Sequence, residues 1–212
     1  MQPERNFPRP DAAPNFALDH SALAADQRFA RMAEALSALS PIDSEAKFDR
    51  YCRDACRIWV DCAAHVRERT GDKFARRLAQ VEHGGKHIIR TSWGGVVVTR
   101  HEHPEVEKYL VIRQGGYLAL EKHEKKDERL EVKQGAGLIL WRKTPGIPLA
   151  VEILQPGSAF YFSPGREHCL IGTENLLVFE QSTDPKGMDQ DLIFLYEPDG
   201  VTAPAEAGHR HS

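Results

Sequence analysis

Two short segments decide the fold of this chain, and each combines glycines with histidine and carboxylate residues. The first reads Gly115-Gly-Tyr-Leu-Ala-Leu-Glu121-Lys-His123-Glu-Lys-Lys-Asp-Glu128-Arg-Leu-Glu-Val-Lys-Gln-Gly135. The second reads Gly157-Ser-Ala-Phe-Tyr-Phe-Ser-Pro-Gly165-Arg-Glu-His168. Between them lie short alternating stretches and turn residues, which are typical of antiparallel β-structure.

Four side chains of these segments can meet if the sheet folds on itself. Glu121 and His123 are two residues apart, so in a strand they point to the same face. The step to Glu128 is long enough to turn a hairpin, and Gly165 allows a tight turn before His168. Two imidazoles and two carboxylates form a mixed nitrogen and oxygen set that suits Zn, Mn, Fe or Ni. The sequence therefore predicts a divalent metal ion held by Glu121, His123, Glu128 and His168.

At the first segment the sequence resembles the cupin superfamily, whose first motif is written G-x5-H-x-H-x3/4-E-x6-G. The matching residues are Gly115, Glu121, His123, Glu128 and Gly135, and the only departure is Glu121 in place of the first histidine. The resemblance implies a jelly-roll β-barrel with the metal site in its interior.

The second segment resembles the second cupin motif, G-x5-P-x-G-x2-H-x3-N. Gly157, Gly165 and His168 match it, whereas Ser163 replaces the proline and Gly172 replaces the asparagine. No internal repeat is visible, so one cupin domain is expected rather than two.

A narrower resemblance is to the cupin domain of the mannose-6-phosphate isomerase / mannose-1-phosphate guanylyltransferase type. It rests on Trp93-Gly94, on Leu118-Ala-Leu-Glu-Lys-His123 and on Val178-Phe-Glu-Gln-Ser-Thr183. Together the cupin motifs cover about residues 90 to 198. This resemblance implies a sugar or sugar-phosphate isomerase-like activity.

A second set of histidines competes with the first motif. Gly95, His101, His103 and Glu107 have similar spacing and keep both histidines, but Pro104 interrupts the turn and the closing glycine comes one residue late. We therefore favour the set around Glu121 and expect His101 and His103 to be solvated turn residues or to line the cavity mouth.

Four further residues are candidates for contact with a substrate. Glu180 follows Val178 at strand spacing, so it could project into the barrel as a general acid or base. Tyr117 and Tyr161 could place hydroxyl groups near a substrate, and Arg166 could attract an anionic one. Packing or surface roles remain open for each of them.

The remaining pattern predicts a mainly β protein, a single cupin jelly-roll β-barrel with an N-terminal α-helical extension. Helices are expected over residues 21–39, from Ser44 to about residue 70 and over residues 73–83. They either cover one barrel face or build the interface of a homodimer. The predicted boundaries are an arm at 1–19 that is disordered or lies on a partner, a helical extension at 20–86, the cupin domain at 87–198 and a disordered tail at 199–212.

Composition restricts the partners. A net charge of −3 and a pI near 6.4 give no reason to expect nucleic acid or an anionic membrane as a partner. No apolar run approaches the roughly 20 residues of a membrane span, and the N-terminus lacks the layout of a signal peptide. A cytoplasmic protein that acts on a small molecule, such as a carbohydrate, is the expectation.

These observations predict a metal-dependent cupin, most simply a sugar or sugar-phosphate isomerase-like enzyme. The metal would bind adjacent oxygens of the open-chain sugar and polarise its carbonyl, while Glu180 or a neighbouring carboxylate moves a proton between C1 and C2. Two alternatives stay open: an Fe-dependent cupin dioxygenase, which needs open coordination positions, and a non-catalytic cupin that binds a small molecule or sugar.

Overall fold

The structure is a computed structural model that describes residues 13–62 and 71–198. The predicted tail at 199–212, most of the predicted arm and the end of the second predicted helix lie outside the described residues. The helices are α1 (Ser21–Ala25), α2 (Ala30–Ser37), α3 (Glu45–Cys62) and α4 (Gly71–Gly84). The strands are β1 (Leu18–Asp19), β2 (His87–Thr91), β3 (Gly94–Glu102), β4 (Glu105–Ile112), β5 (Leu120–His123), β6 (Asp127–Gln134), β7 (Gly137–Arg142), β8 (Leu149–Leu154), β9 (Ala159–Phe162), β10 (Glu167–Gly172), β11 (Leu176–Thr183) and β12 (Leu192–Tyr196).

These strands form two six-stranded sheets that enclose an interior. The first sheet has the order β1-β8-β7-β10-β5-β12, and the second has the order β2-β3-β4-β11-β6-β9. All pairings are antiparallel apart from the parallel pair of β1 and β8. The mainly β fold class, a jelly-roll barrel with an N-terminal helical part, is therefore confirmed.

Helices cover the outer faces of both sheets. Phe48, Cys52 and Ala55 of α3 belong to one buried cluster with Leu138 and Leu140 of the first sheet. On the second sheet, α4 contributes Phe74 and Val81 to a smaller cluster with Val97 and Leu177. Strand β10 is consequently buried at every residue. The helices were expected either to cover a barrel face or to build a homodimer interface. Helix α3 covers a barrel face, and the homodimer stays a prediction.

The predicted single helix over 21–39 is two helices. Residues between α1 and α2 form a turn in which the Asp26 carboxylate accepts the backbone N–H of Arg28 at 3.0 Å. The backbone N–H of Phe29 donates to the carbonyl of Asp26 at 2.8 Å. An aspartate that bonds to nearby backbone groups offers an alternative to the helix, and the periodicity of the apolar residues does not reveal this.

The described end of the predicted arm lies on the chain's own first sheet. Leu18 and Asp19 pair with Leu149 and Ala150. Phe16 is 4% exposed, and its ring centroid lies 5.0 Å from that of Phe48. The prediction of a disordered or partner-bound arm is therefore wrong for residues 13–19, because Phe16 supplies an apolar side chain that the sheet and α3 bury together.

Candidate functional site

A cavity of about 160 Å³ lies between the two sheets. Its apolar part is lined by Leu110, Leu118, Leu130 and Leu170, with Trp93 at one side. Its polar end is lined by Lys108, Glu121, Lys126, Glu128, His168, Glu180 and Asp189. A mostly apolar cavity with a few converging ionisable groups is the usual form of a small-molecule site.

Strand alternation explains why these groups converge. On β6, Glu128 is buried in the same direction as Leu130, two residues further on. On β11 and β4, Glu180 and Lys108 are opposite each other in the ladder. His168 of β10 is the direct partner of Glu121 on β5. Side chains at intervals of two share a face, so five different strands place ionisable groups in one interior.

His123 is oriented by a carboxylate from the loop between β11 and β12. Its Nδ1 lies 2.8 Å from Oδ1 of Asp191, and both side chains are almost completely buried. Asp191 also accepts the backbone N–H groups of Lys125 and Lys126. Burial alone would raise the pKa of Asp191, but these hydrogen bonds lower it to about 2. With Nδ1 held in this way, Nε2 of His123 points to the interior.

His168 forms a buried pair with Glu128. Its Nε2 lies 2.8 Å from Oε1 of Glu128, and its ring stacks on Phe162 at a centroid distance of 4.4 Å. Burial lowers the pKa of His168, but Glu128 outweighs this effect and the net shift is upward. Burial likewise raises the pKa of Glu128, whereas Lys126 and His168 bring it well below its ordinary value. The pair therefore favours its ionic form.

Lys126 lies in the middle of the polar end. Its Nζ lies 2.8 Å from Oε2 of Glu128, 2.7 Å from Oε1 of Glu180 and 2.8 Å from Oδ1 of Asp189. It is also 3.3 Å from Nε2 of His123. Burial lowers the pKa of Lys126, but Asp189, Glu128 and Glu180 together raise it well above its ordinary value. Lys126 is therefore a buried ammonium surrounded by carboxylates.

Lys108 completes this charge network. Its Nζ contacts Asp189 and lies 3.3 Å from Oε1 of Glu180. Burial lowers the pKa of Lys108, but Asp189 and Glu180 raise it to above its ordinary value. Glu180, which the sequence indicated as an acid or base, thus lies between two ammonium groups.

Glu121 faces the cavity without such a partner. Among the residues that the structure describes, none donates a hydrogen bond to its carboxyl group. Burial raises its pKa, the two histidines oppose this change, and Glu128 and Asp189 add to it, so that the net shift is upward. Glu121 and Glu128, two carboxyl groups of one cavity, therefore have pKa values shifted in opposite directions.

The structure thus brings three of the four predicted ligands into mutual contact. His168 and His123 lie 2.8 and 3.8 Å from the two oxygens of Glu128, and Glu121 lines the same cavity. However, within the described ranges no group of three or more His, Cys, Asp or Glu side chains is arranged to hold a metal ion. Instead, the Lys126 ammonium contacts two of the predicted ligands, Glu128 and His123. This arrangement does not fit a metal ion.

The three predicted substrate contacts lie elsewhere. The Tyr117 hydroxyl donates to Asp49 of α3 at 2.5 Å, on the helical side of the first sheet. Tyr161 is 58% exposed and donates to Asp127, and Arg166 donates to the carbonyl of Tyr161 at 3.4 Å. The adjacent residues Leu118 and Ala119 both line the cavity, which regular strand alternation does not allow. Because residues 117–119 precede the regular strand β5, the alternation expected there does not apply and Tyr117 points outward.

The competing histidines have the position expected of turn residues. His101 and His103 are exposed at the connection of β3 and β4. The cavity lining includes neither of them.

Three residues of the site were not identified from the sequence: Lys108, Asp189 and Asp191. One signal was available, because Lys108 alternates with Val106, Leu110 and Ile112 and thus interrupts the apolar face of a strand. Lys126 lies in a charged run that usually indicates a solvated turn. Asp189 and Asp191 lie in an irregular loop, so no periodicity points to them.

Comparisons with known proteins gave similarities to solved structures only. No protein-family model and no curated protein match the sequence. Among solved structures, the chain is similar to the capsular polysaccharide assembling protein CapF from Staphylococcus aureus, with 14% identity and a TM-score of 0.45 over 52% of this chain and 34% of that one. It is also similar to KdgF from Halomonas sp., with 21% identity and a TM-score of 0.39 over 45% and 81% of the two chains. A third is a cupin-2 domain containing protein from Shewanella frigidimarina, with 19% identity and a TM-score of 0.34 over 41% and 76%.

The jelly-roll barrel with its helical part rests on the sheet topology of the chain itself. The alignment spans only about a third of CapF, and at these identities and TM-scores the similarities carry no argument about activity. The mannose-6-phosphate isomerase-like subfamily stays a prediction. Within the described residues, no helix has the length and apolar character needed to span a membrane.

Proposed function

We propose that the protein is an isomerase-like enzyme that transfers a proton on a small neutral sugar in the barrel cavity, with Glu121 as general acid and base. The observation that carries this proposal is the Glu121 carboxyl group, which faces the cavity, accepts no hydrogen bond from the described residues and has a raised pKa. A carboxyl group with these properties is available to a substrate.

The direction of the pKa shift suits this role. Proton transfer is most efficient when the pKa of the catalytic group lies near the operating pH. Burial moves the pKa of Glu121 towards that range, whereas the pKa of Glu128 is moved away from it. Two carboxyl groups with opposite shifts in one site often divide the acid–base and electrostatic roles. Glu121 therefore suits the role of the group that transfers the proton, and Glu128 suits that of the carboxylate that stays ionised.

Glu180 suits the proton-transfer role less well than the sequence suggested. Its Oε1 lies 2.7 Å from the Lys126 ammonium and 3.3 Å from the Lys108 ammonium. Because two ammonium groups already contact this carboxylate, it is less available to a substrate than that of Glu121. His168, on the sheet opposite Glu180, also lines the cavity, and its raised pKa favours the imidazolium. A cation there would stabilise negative charge that develops on a substrate oxygen during proton transfer.

The charge balance favours a neutral sugar over a sugar phosphate. Both cavity lysines are already paired with carboxylates, Lys126 with three of them and Lys108 with Glu180 and Asp189. A phosphate would meet these carboxylates without an unpaired ammonium to neutralise it. The cavity volume of 160 Å³ corresponds to about five water molecules, which also favours a small ligand.

The experiment is to incubate the protein with a panel of aldoses and ketoses in D₂O and to follow deuterium at C2 by NMR, with a metal chelator present. The wild type is expected to incorporate deuterium and to interconvert aldose and ketose. Since general acid–base catalysis contributes about 10² to 10⁴ in rate, Glu121→Gln should lower the exchange rate by that factor. Glu124→Gln alters an exposed neighbouring carboxylate and should leave the rate unchanged.

Two results would contradict the proposal. Equal exchange rates in Glu121→Gln and wild type would remove Glu121 from the mechanism. Tight binding of a sugar with no exchange would favour the non-catalytic binding cupin. Oxygen uptake on addition of Fe(II) would instead support the dioxygenase alternative.

A further inference from the structure

We propose that the Lys126 ammonium is a built-in cation at the predicted metal site, where it contacts two of the four predicted ligands, Glu128 and His123. The barrel thus keeps donor atoms of a metal site but fills the site with its own side chain. This inference is independent of the proposed isomerase activity, because it concerns what occupies the polar end of the cavity and not what reacts there.

The contacts of Lys126 are those of a cation in a donor cage. Its Nζ has three carboxylate oxygens within 2.8 Å, from Glu128, Glu180 and Asp189, and Nε2 of His123 at 3.3 Å. An ammonium group has three N–H donors, which three carboxylates can satisfy. These are also the residue types that ligate divalent metals, imidazole nitrogen and carboxylate oxygen.

The distances distinguish an ammonium from a metal ion. Zinc lies about 2.0–2.2 Å from nitrogen and oxygen ligands, whereas the three carboxylate oxygens lie 2.7 to 2.8 Å from Nζ. The cage is thus about 0.6 Å too wide for the metal on each of these sides. The distances from Nζ to these oxygens are instead those of charge-assisted hydrogen bonds donated by a nitrogen cation.

Lys126 is held in this position and is not a surface residue that folds inward. It is 2% exposed, and its own backbone N–H donates to Asp191 at 2.9 Å. Asp189, which contacts both cavity lysines, has a positive φ of 57° and donates its backbone N–H to Asp184 at 2.7 Å. The loop that closes the cage is therefore itself tied to the protein.

The orientation of His123 also supports the inference that the side chains of a metal site are kept. In metal sites, a ligating histidine usually donates its other ring N–H to a carboxylate. Here Asp191 binds Nδ1 of His123 at 2.8 Å, and Nε2 faces the ammonium. Removal of Lys126 would leave this nitrogen and Oε2 of Glu128 directed at one vacant position.

The decisive variant is Lys126→Ala, tested by metal content and by titration with Zn²⁺ or Co²⁺ after treatment with a chelator. The wild type should bind no metal at this site. Lys126→Ala should bind about one ion per chain and gain thermal stability from it, since metal binding by a folded site adds to folding free energy. Lys125→Ala, which removes the exposed neighbouring lysine, is the matched control and should behave as the wild type. Adding His123→Ala to Lys126→Ala should abolish the gain.

Two outcomes would overturn the inference. The first is a wild type that binds one metal ion per chain and loses it in His123→Ala, because the site would then be a metal site in spite of Lys126. The second is a folded Lys126→Ala that binds no metal. The wild-type titration remains decisive even if removal of the ammonium prevents folding. In that case the yield of refolded Lys126→Ala with and without Zn²⁺ gives the second measurement, and equal yields would count against the inference.

Discussion

The attachment of helix α3 to the barrel gives a stability prediction that depends on one carboxylate. Asp49 Oδ1 accepts hydrogen bonds from the hydroxyl groups of Tyr117 and Tyr196, each at 2.5 Å. The Asp49 side chain is 18% exposed, and Arg53 contacts its other oxygen. Burial and the bond to Asp49 raise the pKa of both tyrosines, so both hydroxyl groups keep their protons at neutral pH. One residue of α3 therefore binds two tyrosines on the side of the first sheet.

The magnitude follows from these two bonds. A hydrogen bond to a charged group contributes about 1.5–3 kcal/mol. Asp49→Ala removes two such bonds and leaves two tyrosine hydroxyls near the helix without an acceptor, so the free energy of unfolding should fall by about 3–5 kcal/mol. In a protein of this size each kcal/mol shifts Tm by about 2–4 °C, and a decrease of about 6–20 °C is expected. Asp49→Asn keeps an oxygen acceptor without the charge, and its effect should be about half as large.

Urea unfolding of a double-mutant cycle checks this reasoning. Tyr117→Phe and Tyr196→Phe each remove one bond, and each should lower the free energy of unfolding by about 1.5–3 kcal/mol. In the Asp49→Ala background the same tyrosine changes should have almost no effect, because their shared partner is absent. Additive effects of Asp49→Ala and the tyrosine changes, or a loss below about 1 kcal/mol in Asp49→Ala, would refute the shared-acceptor account.

Two other predictions concern a glycine and a histidine. Gly135 and Gly157 both have φ near +90°, but a Cβ atom at Gly135 would lie 1.9 Å from the carbonyl oxygen of Asn175, while at Gly157 nothing lies within 4 Å. Urea unfolding should show a loss of about 1–2 kcal/mol for Gly157→Ala from backbone strain and a larger loss for Gly135→Ala; equal losses would contradict the steric account. His20 is buried with Nε2 2.9 Å from the Tyr51 hydroxyl, and burial lowers its pKa. The unfolded chain therefore binds a proton at this histidine more readily than the folded chain does. The free energy of unfolding should be independent of this group above about pH 6.5 and should decrease below it by at most 1.4 kcal/mol per pH unit. His20→Gln should have a smaller decrease between pH 7 and pH 5 in urea unfolding, and an unchanged decrease would assign the effect to other groups.

The positions of the ionisable residues on strands could be predicted from spacing. The two-residue spacing predicted that Glu121 and His123 share the inner face of a strand. The hairpin after them was expected to bring Glu128 back beside them. The register of β5 and β10 then brings His168 opposite Glu121. Each of these steps depends on regular strands, in which sequence spacing determines side-chain direction. The same rule gave the wrong direction for Tyr117, because the residues after it are not in a regular strand.

The residues that determine the chemistry of the cavity were harder to predict. Asp189 and Asp191 come from a loop whose path depends on tertiary hydrogen bonds, such as those that Asp191 accepts from the backbone of Lys125 and Lys126. Lys126 follows His123 by three residues in a charged turn, and only its burial in the folded chain distinguishes it from exposed Lys125. A sequence pattern indicates which residue types are near each other, but not which of them is desolvated.

This difference matters for the interpretation of the cupin motifs. The spacing of Glu121, His123 and Glu128 determines only where their backbone can lie. The nitrogen and oxygen atoms of these side chains can bind either a metal ion or an ammonium group. What separates the two cases is a cationic side chain within reach of the donor set, and here Lys126 is in that position at 2.8 Å from Glu128. Since a lysine and a divalent cation cannot share one position, the residues between the histidine and glutamate of the first motif carry information that the motif itself omits. A lysine that precedes the glutamate by two residues is therefore the feature by which this site differs from the metal site that its spacing predicts.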